Sequence, residues 1–213
     1  MKKPLLSILA ALACTLCAIS GASAQTATLS FNDGVGAPNA GTYGAGQVFS
    51  FNVMLNFAPG GAVTNLEGLS YWLQQNSGAP FNFSITNRNL SASLFADAQS
   101  PGITYPQAMT PSNASDLGAA LAVGVAPLGA GNYFIATITI SISKTAAEGT
   151  YVLGSTFTGG KTSFISDNGG HTFAIPQAIY TVTVVPETGS TMWLLSAAGA
   201  GLLGFASTRR QSA

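Results

Sequence analysis

Strict two-residue alternation is the feature that most constrains this chain. Phe49, Phe51, Val53, Leu55 and Phe57 fall on one face of an extended segment, with Ser50, Asn52 and Asn56 on the other. A helix would spread those five apolar side chains around its circumference, whereas a strand aims all of them at one core. The pattern returns at Phe134, Ala136, Ile138, Ile140 and Ile142, opposite Thr137, Thr139, Ser141 and Ser143. It returns again at Tyr180, Val182 and Val184, opposite Thr181 and Thr183. Shorter strands are expected over 27–31, 66–73, 81–85, 117–123, 151–157, 162–165 and 171–175.

The segments between carry turn chemistry. Asn32-Asp33-Gly34, Pro59-Gly60-Gly61, Asn76-Ser77-Gly78 and Gly129-Ala130-Gly131 supply residues that tolerate positive φ. Asp167-Asn168-Gly169-Gly170 reads as a hairpin loop. One helical turn is expected over 93–99. Residues 100–115, with Pro101, Pro106 and Pro111, read as an irregular surface loop. Many short strands, half-buried faces and almost no helix imply an all-β protein. The expected architecture is an antiparallel β-sandwich of jelly-roll or immunoglobulin-like layout, with two sheets packed face to face.

Both ends of the chain differ from this body. Met1-Lys2-Lys3, an apolar run from Leu5 to Ile19 and the small residues Ala22 and Ala24 make a secretory signal peptide. It implies export through the Sec machinery and cleavage by signal peptidase after Ala24. Cys14 and Cys17 both lie inside it, so the mature chain has no disulfide, no thiolate ligand and no cysteine nucleophile. At the other end, Pro186-Glu187-Thr188-Gly189-Ser190-Thr191 leads into an apolar run ending at Ala206, followed by Arg209-Arg210. That run is about as long as the shortest bilayer-spanning helix, roughly 17 to 20 residues. The two arginines would stay in the cytoplasm. The expected organisation is therefore a signal peptide over 1–24, a β-sandwich over 25–185 and a sorting signal with a transmembrane helix over 186–213.

The tail resembles the PEP-CTERM family of C-terminal sorting signals. The matching parts are Pro186-Glu187, the apolar run from Met192 to Phe205, and Arg209-Arg210. Thr188 stands where that family usually has a second proline, and the continuation to Thr191 looks more like the variants reading Val-Pro-Asp-x-Gly-Ser-Thr. The resemblance implies processing by a membrane-bound exosortase of a Gram-negative bacterium. The chain would be held transiently in the inner membrane, then reach the cell surface or the exopolysaccharide matrix. The body resembles cohesin-like domains on Gly44-Ala45-Gly46-Gln47-Val48-Phe49, Leu66-Glu67-Gly68-Leu69-Ser70-Tyr71, Glu148-Gly149-Thr150-Tyr151 and Tyr180-Thr181-Val182-Thr183-Val184. That likeness implies a sandwich able to hold a protein on one sheet face.

Charge is scarce, at 7% of residues, against about a quarter in ordinary soluble domains. The body sets Arg88, Lys144 and Lys161 against Asp33, Glu67, Asp97, Asp116, Glu148 and Asp167. So few cations argue against a nucleic-acid partner or an anionic lipid surface. His171 is the sole histidine, which leaves no imidazole metal site, and no Gly-x-Ser-x-Gly elbow is present. Glu67 and Glu148 are the glutamates of the body, each near an expected strand end, and either could pair with an Asp as the two acids of a glycan hydrolysis. Asp33, Asp97, Asp116 and Asp167 sit in or near loops, where turn formation explains them better than calcium does. No cofactor or metal is assigned. Tyr71, Trp72, Tyr105 and Tyr133 could make a sugar-stacking platform. With Leu69, Tyr71 and Leu73 facing the core, Trp72 points the other way, either as a ligand contact or packed beneath a loop. The functional expectation is a non-enzymatic exported protein with a structural or adhesive role. A glycan- or protein-binding module is the alternative, ahead of a glycan-acting enzyme. The partners implied are an exopolysaccharide or a surface protein.

Overall fold

The computed structural model describes residues 24–32, 39–61, 63–76, 80–96, 103–110, 115–155 and 162–186. Ala22, the residues from Glu187 to Thr191 and Arg209-Arg210 lie outside them. In chain order the first strands are β1 (Thr26–Asn32), β2 (Ala40–Gly44), β3 (Val48–Ala58), β4 (Gly68–Ser70) and β5 (Gln74–Gln75). Next come β6 (Phe83–Asn89), β7 (Phe95–Ala96), β8 (Gln107–Ala108), β9 (Ala119–Leu121) and β10 (Gly131–Ile142). The last are β11 (Gly149–Gly154), β12 (Phe164–Ser166), β13 (Thr172–Ala174) and β14 (Ile179–Val185).

Hydrogen bonding sorts these into three ladders, ordered β1-β3-β10-β6-β8, β2-β14-β11-β5 and β13-β12-β4-β9-β7. The expected second sheet is thus split. The reason is local: Tyr71-Trp72-Leu73 leaves the ladder between β4 and β5, so one chain segment pairs first with β12 and then with β11. All three ladders bury their inner-facing residues in one cluster, which makes the fold an all-β, sandwich-like layering. Pairing is antiparallel except where β14 runs parallel to β2.

Alternation sets the core as expected along β1 and β3, whose inward positions are buried and outward positions exposed or half-buried. An aromatic stack ties the layers together. Phe31 lies 5.0 Å from Phe51, and Phe51 lies 4.8 Å from Tyr180 on the facing sheet. Tyr43 of β2 stacks on Phe49 at 4.2 Å, and its hydroxyl meets that of Tyr180 at 2.8 Å. The half-buried Tyr43 thereby supplies a partner for the hydroxyl of the fully buried Tyr180.

Four sequence expectations change. In β10 the register against β3 shifts between Phe134 and Ala136, so Ile135 and Ala136 both point inward. Phe134 pairs with Met54 on the outer face and is not a core residue, because a bulge inserts one residue and breaks the period of two. The span taken as a surface loop holds Met109, which is 1% exposed. It bonds across the core edge, from its N–H to the Phe83 carbonyl (3.0 Å) and from its carbonyl to the Gln75 N–H (3.0 Å). The helical turn expected from Ser93 is a tight turn entering β7; residues 97–99 lie outside the described set. Finally, β2 had no alternating signal of its own and exists through its pairing with β14.

Truncating Phe51, which is 1% exposed, removes a ring shared by three aromatic contacts. Phe51→Ala is expected to cost about 3–5 kcal/mol in chemical denaturation. Thr28→Ala, on the exposed side of β1, should stay within about 0.5 kcal/mol. Equal losses would mean that the two faces are misassigned.

Candidate functional site

The outer surface of β12-β4-β9 carries a cleft of about 480 Å³. Its floor follows from residue size. Ser166 pairs with Gly68 and Phe164 with Ser70, while Gly68 also pairs with Ala120. Leu69, Ala119 and Ile165 take the alternate, inward positions and are buried. Gly68, Ser70, Ala120 and Ser166 are small outward residues on adjacent strands and leave a depression that Phe164 borders. Gly118 brings the wall close: a Cβ there would stand 2.0 Å from the Leu69 carbonyl oxygen and 2.6 Å from the Ser70 Cα. Only glycine lets the two backbones approach so closely.

Carboxylates gather around this floor. Glu67, Asp116 and Asp167 line the cleft, while Glu148 lies elsewhere, in the turn before β11. Asp116 is pinned by backbone: its Oδ1 accepts from the N–H of Tyr71 (3.2 Å) and of Gly118 (2.8 Å). Behind it, Arg88 Nη1 donates to the carbonyls of Leu117 and Gly118. Asp167 opens the β12–β13 hairpin, where Gly170 takes φ 76° as the expected loop requires. Its Oδ1 accepts from the His171 N–H at 2.9 Å, and its Oδ2 lies 2.9 Å from His171 Nδ1. The imidazole is 61% exposed and the Asp167 side chain 10%. The hydrogen bond from the His171 ring, aided by its backbone N–H, holds the Asp167 carboxyl below the usual carboxylate range.

The aromatic platform does not assemble. Tyr71 is fully buried, and burial pushes its phenol far above the ordinary value. Tyr105 and Tyr133 pack against the core, the latter donating its hydroxyl to the Gly129 carbonyl at 2.8 Å. Trp72 is 9% exposed and lies 6.4 Å from Phe164, so of its two expected placements the packed one is found. Sugar stacking needs an open ring face, and Trp72 does not offer one. Glu67 and Glu148 do not share a cleft; the acids that stand beside Glu67 are Asp116 and Asp167. Among the described residues no hydrogen bond joins a hydroxyl to the imidazole of His171, and no group of three or more His, Cys, Asp or Glu could hold a metal. Asp33 and Asp97 lie outside those residues. Fixed carboxylates over a shallow floor can accept hydrogen bonds from N–H groups or pair with cations.

No protein-family model matches the chain, and no curated protein does. Similar solved structures include cohesin modules. A chain of the CaDoc0917–CaCohA2 complex is 12% identical, with TM-score 0.50, covering 75% of this chain and 100% of that one. CaCohA2 from Clostridium acetobutylicum in solution is 13% identical, with TM-score 0.49, covering 76% and 92%. A cohesin module of a family 33 glycoside hydrolase from Clostridium perfringens is 16% identical, with TM-score 0.47, covering 76% and 98%. At such identities the first of these shows a shared fold and nothing more. The body is cohesin-like in architecture.

The carboxyl of Asp167 titrates low because its charged form is hydrogen-bonded, so that support of the hairpin is present above the ordinary Asp value and lost as pH falls through the depressed one. In His171→Ala the Asp167 midpoint, followed by carboxyl NMR, is expected to rise toward the ordinary value. The amides of the Asp167–His171 loop should also lose exchange protection at a higher pH than in the parent as pH falls. An unchanged midpoint would assign the depression to the backbone donors alone.

Proposed function

We propose that this protein is an exported, non-enzymatic binding module that holds a partner protein at the cleft of β12-β4-β9. The observation that carries this reading is the cleft itself. Carboxylates from three separate segments converge over a floor of small side chains, and two of them are fixed by backbone donors. Such a surface suits the N–H groups and cations of another protein. The fold adds support, since the similar chain at TM-score 0.50 comes from a complex between two proteins. The role is structural or adhesive, exercised at the cell surface or within an exopolysaccharide matrix.

Delivery follows from the two ends of the sequence. Residues 1–24 act as the signal peptide, read by the Sec machinery and by signal peptidase at Ala22 and Ala24. Residues 186–213 form the sorting signal, with Arg209 and Arg210 as the cytoplasmic anchor. An exosortase cuts within the motif that begins at Pro186. Two local facts favour this reading: β14 ends at Val185, and Pro186 beyond it is exposed. Proline has no N–H to continue a ladder and biases its predecessor to an extended form, which leaves the motif presentable to a protease.

Intact mass of the protein recovered from its native host is expected to run from Gln25 to a residue near Glu187 in the outer fractions. A mass reaching Ala213, found only in the inner membrane, would overturn the sorting step. A photo-crosslinking residue at Ser70, in the cleft, should yield a discrete protein adduct on cells that Glu67→Gln combined with Asp167→Asn abolishes. The absence of any adduct at Ser70 would overturn the docking site.

A further inference from the structure

The opposite surface of the molecule has a different chemistry. The outer face of β1-β3-β10-β6 is built from the outward positions of four long strands, and those positions carry hydroxyl, amide and a few apolar side chains only. The one charged residue of these strands, Arg88, stands opposite Ile138 and turns its guanidinium away, to the Leu117 and Gly118 carbonyls. Ordinary soluble domains carry charges at about a quarter of all positions. Here the polar groups are also held in place. Ser50 Oγ meets Thr139 Oγ1 at 2.9 Å, Thr137 Oγ1 donates to Asn52 Oδ1 at 2.9 Å, and Asn56 Nδ2 donates to Asn132 Oδ1 at 2.6 Å. Between these rows the bulge in β10 places Phe134 beside Met54, as an apolar step in the middle of a polar lattice.

We infer that this face binds a neutral polysaccharide, lying across the strands. Three physical arguments select that occupant. Hydroxyls and amides both donate and accept, as sugar hydroxyls do, so each can pair in either sense. Uncharged groups cost far less to strip of water than ions do, and a face without ions offers nothing to a polyanion or a polycation. Side chains already bonded across strands lose little freedom on binding. Strands stand about 4.7–4.9 Å apart, close to the advance of one pyranose unit along an extended glycan, so successive sugars can meet successive strands. Phe134 and Met54 supply an apolar surface for the C–H face of one ring. Together with the cleft on the other layer, this would let one domain join a protein to a glycan. It goes beyond the protein-docking reading, uses none of the cleft residues, and stands or falls separately from it.

The test is affinity electrophoresis of the purified protein in gels containing laminarin, galactomannan, hydroxyethyl cellulose or alginate. Retardation is expected in at least one neutral gel and not in alginate. Thr139→Lys is expected to weaken it at least tenfold, with Asn132→Lys, at an exposed position, as the second variant if the first melts early by circular dichroism. Glu67→Gln, on the cleft side, should leave retardation unchanged. The inference is overturned by no retardation in any neutral gel, by equal retardation in alginate, or by retention that survives a folded lysine variant. It is also overturned if sedimentation shows a dimer that the lysine variant dissolves, since a second copy would then be what covers the face.

Discussion

Burial of one aromatic stack between two layers is the constraint on which the rest of this structure depends. The body contains no cysteine, so no covalent link holds the sheets together. Phe31, Phe51 and Phe49 come from one layer, and Tyr43 and Tyr180 from the other, with successive ring centroids 4.2 to 5.8 Å apart. Aromatic pairs in such arrangements contribute about 0.5–1.5 kcal/mol each beyond their buried area. The Tyr43–Tyr180 hydroxyl contact gives the buried Tyr180 phenol a partner, and it depends on β2 lying beside β14. The one parallel pair among the described strands is therefore tied to the core and is not an accident of the chain's path.

Polar groups at the core edge do a second job, which is to hold irregular segments against the layers. Gln75, 2% exposed, donates from Nε2 to the Pro80 carbonyl and accepts at Oε1 from the Asn82 N–H. Ser155 and Ser163 are fully buried; Ser163 donates to the Ser155 carbonyl, and Ser155 Oγ accepts from Ala178 N–H. Buried backbone groups away from ladders need such partners, because leaving one unpaired costs more than the bond contributes. These contacts fix the segments that lead into and out of the second and third ladders.

The two outward surfaces follow from this framework and differ in kind. One gathers carboxylates at strand ends and in a hairpin, where the ladder runs out and backbone N–H groups are free to orient them. The other stays within four continuous strands, where side chains meet across the sheet and cross-strand bonds order hydroxyls and amides into rows. Low overall charge makes the contrast sharper, since the described carboxylates other than Glu148 all stand at the first surface. A molecule displayed outside the cell between a protein and a hydrated matrix would use both.

Alternation by itself determined the long strands β3, β10 and β14, the inward residues of β3 and β14, and an all-β sandwich, because side-chain direction along an extended chain depends only on neighbouring residues. Turn chemistry likewise determined the Asp167–Gly170 hairpin, since Gly170 must accept a positive φ whatever surrounds it. Tertiary structure decided what depends on partners far away in the chain. The bulge at Ile135 turns Phe134 outward, and nothing local in an unbroken apolar–polar rhythm marks it. Gln74 and Gln75 lie beyond the strand expected over 66–73, and Met109 lies in a span expected as a loop, yet packing and long-range hydrogen bonds bury all three. Trp72 had two placements open until Phe164 closed one of them. Glu67, Asp116 and Asp167 carry no common motif; they converge because β4 pairs with both β9 and β12, a non-local choice made by the ladder and the core together.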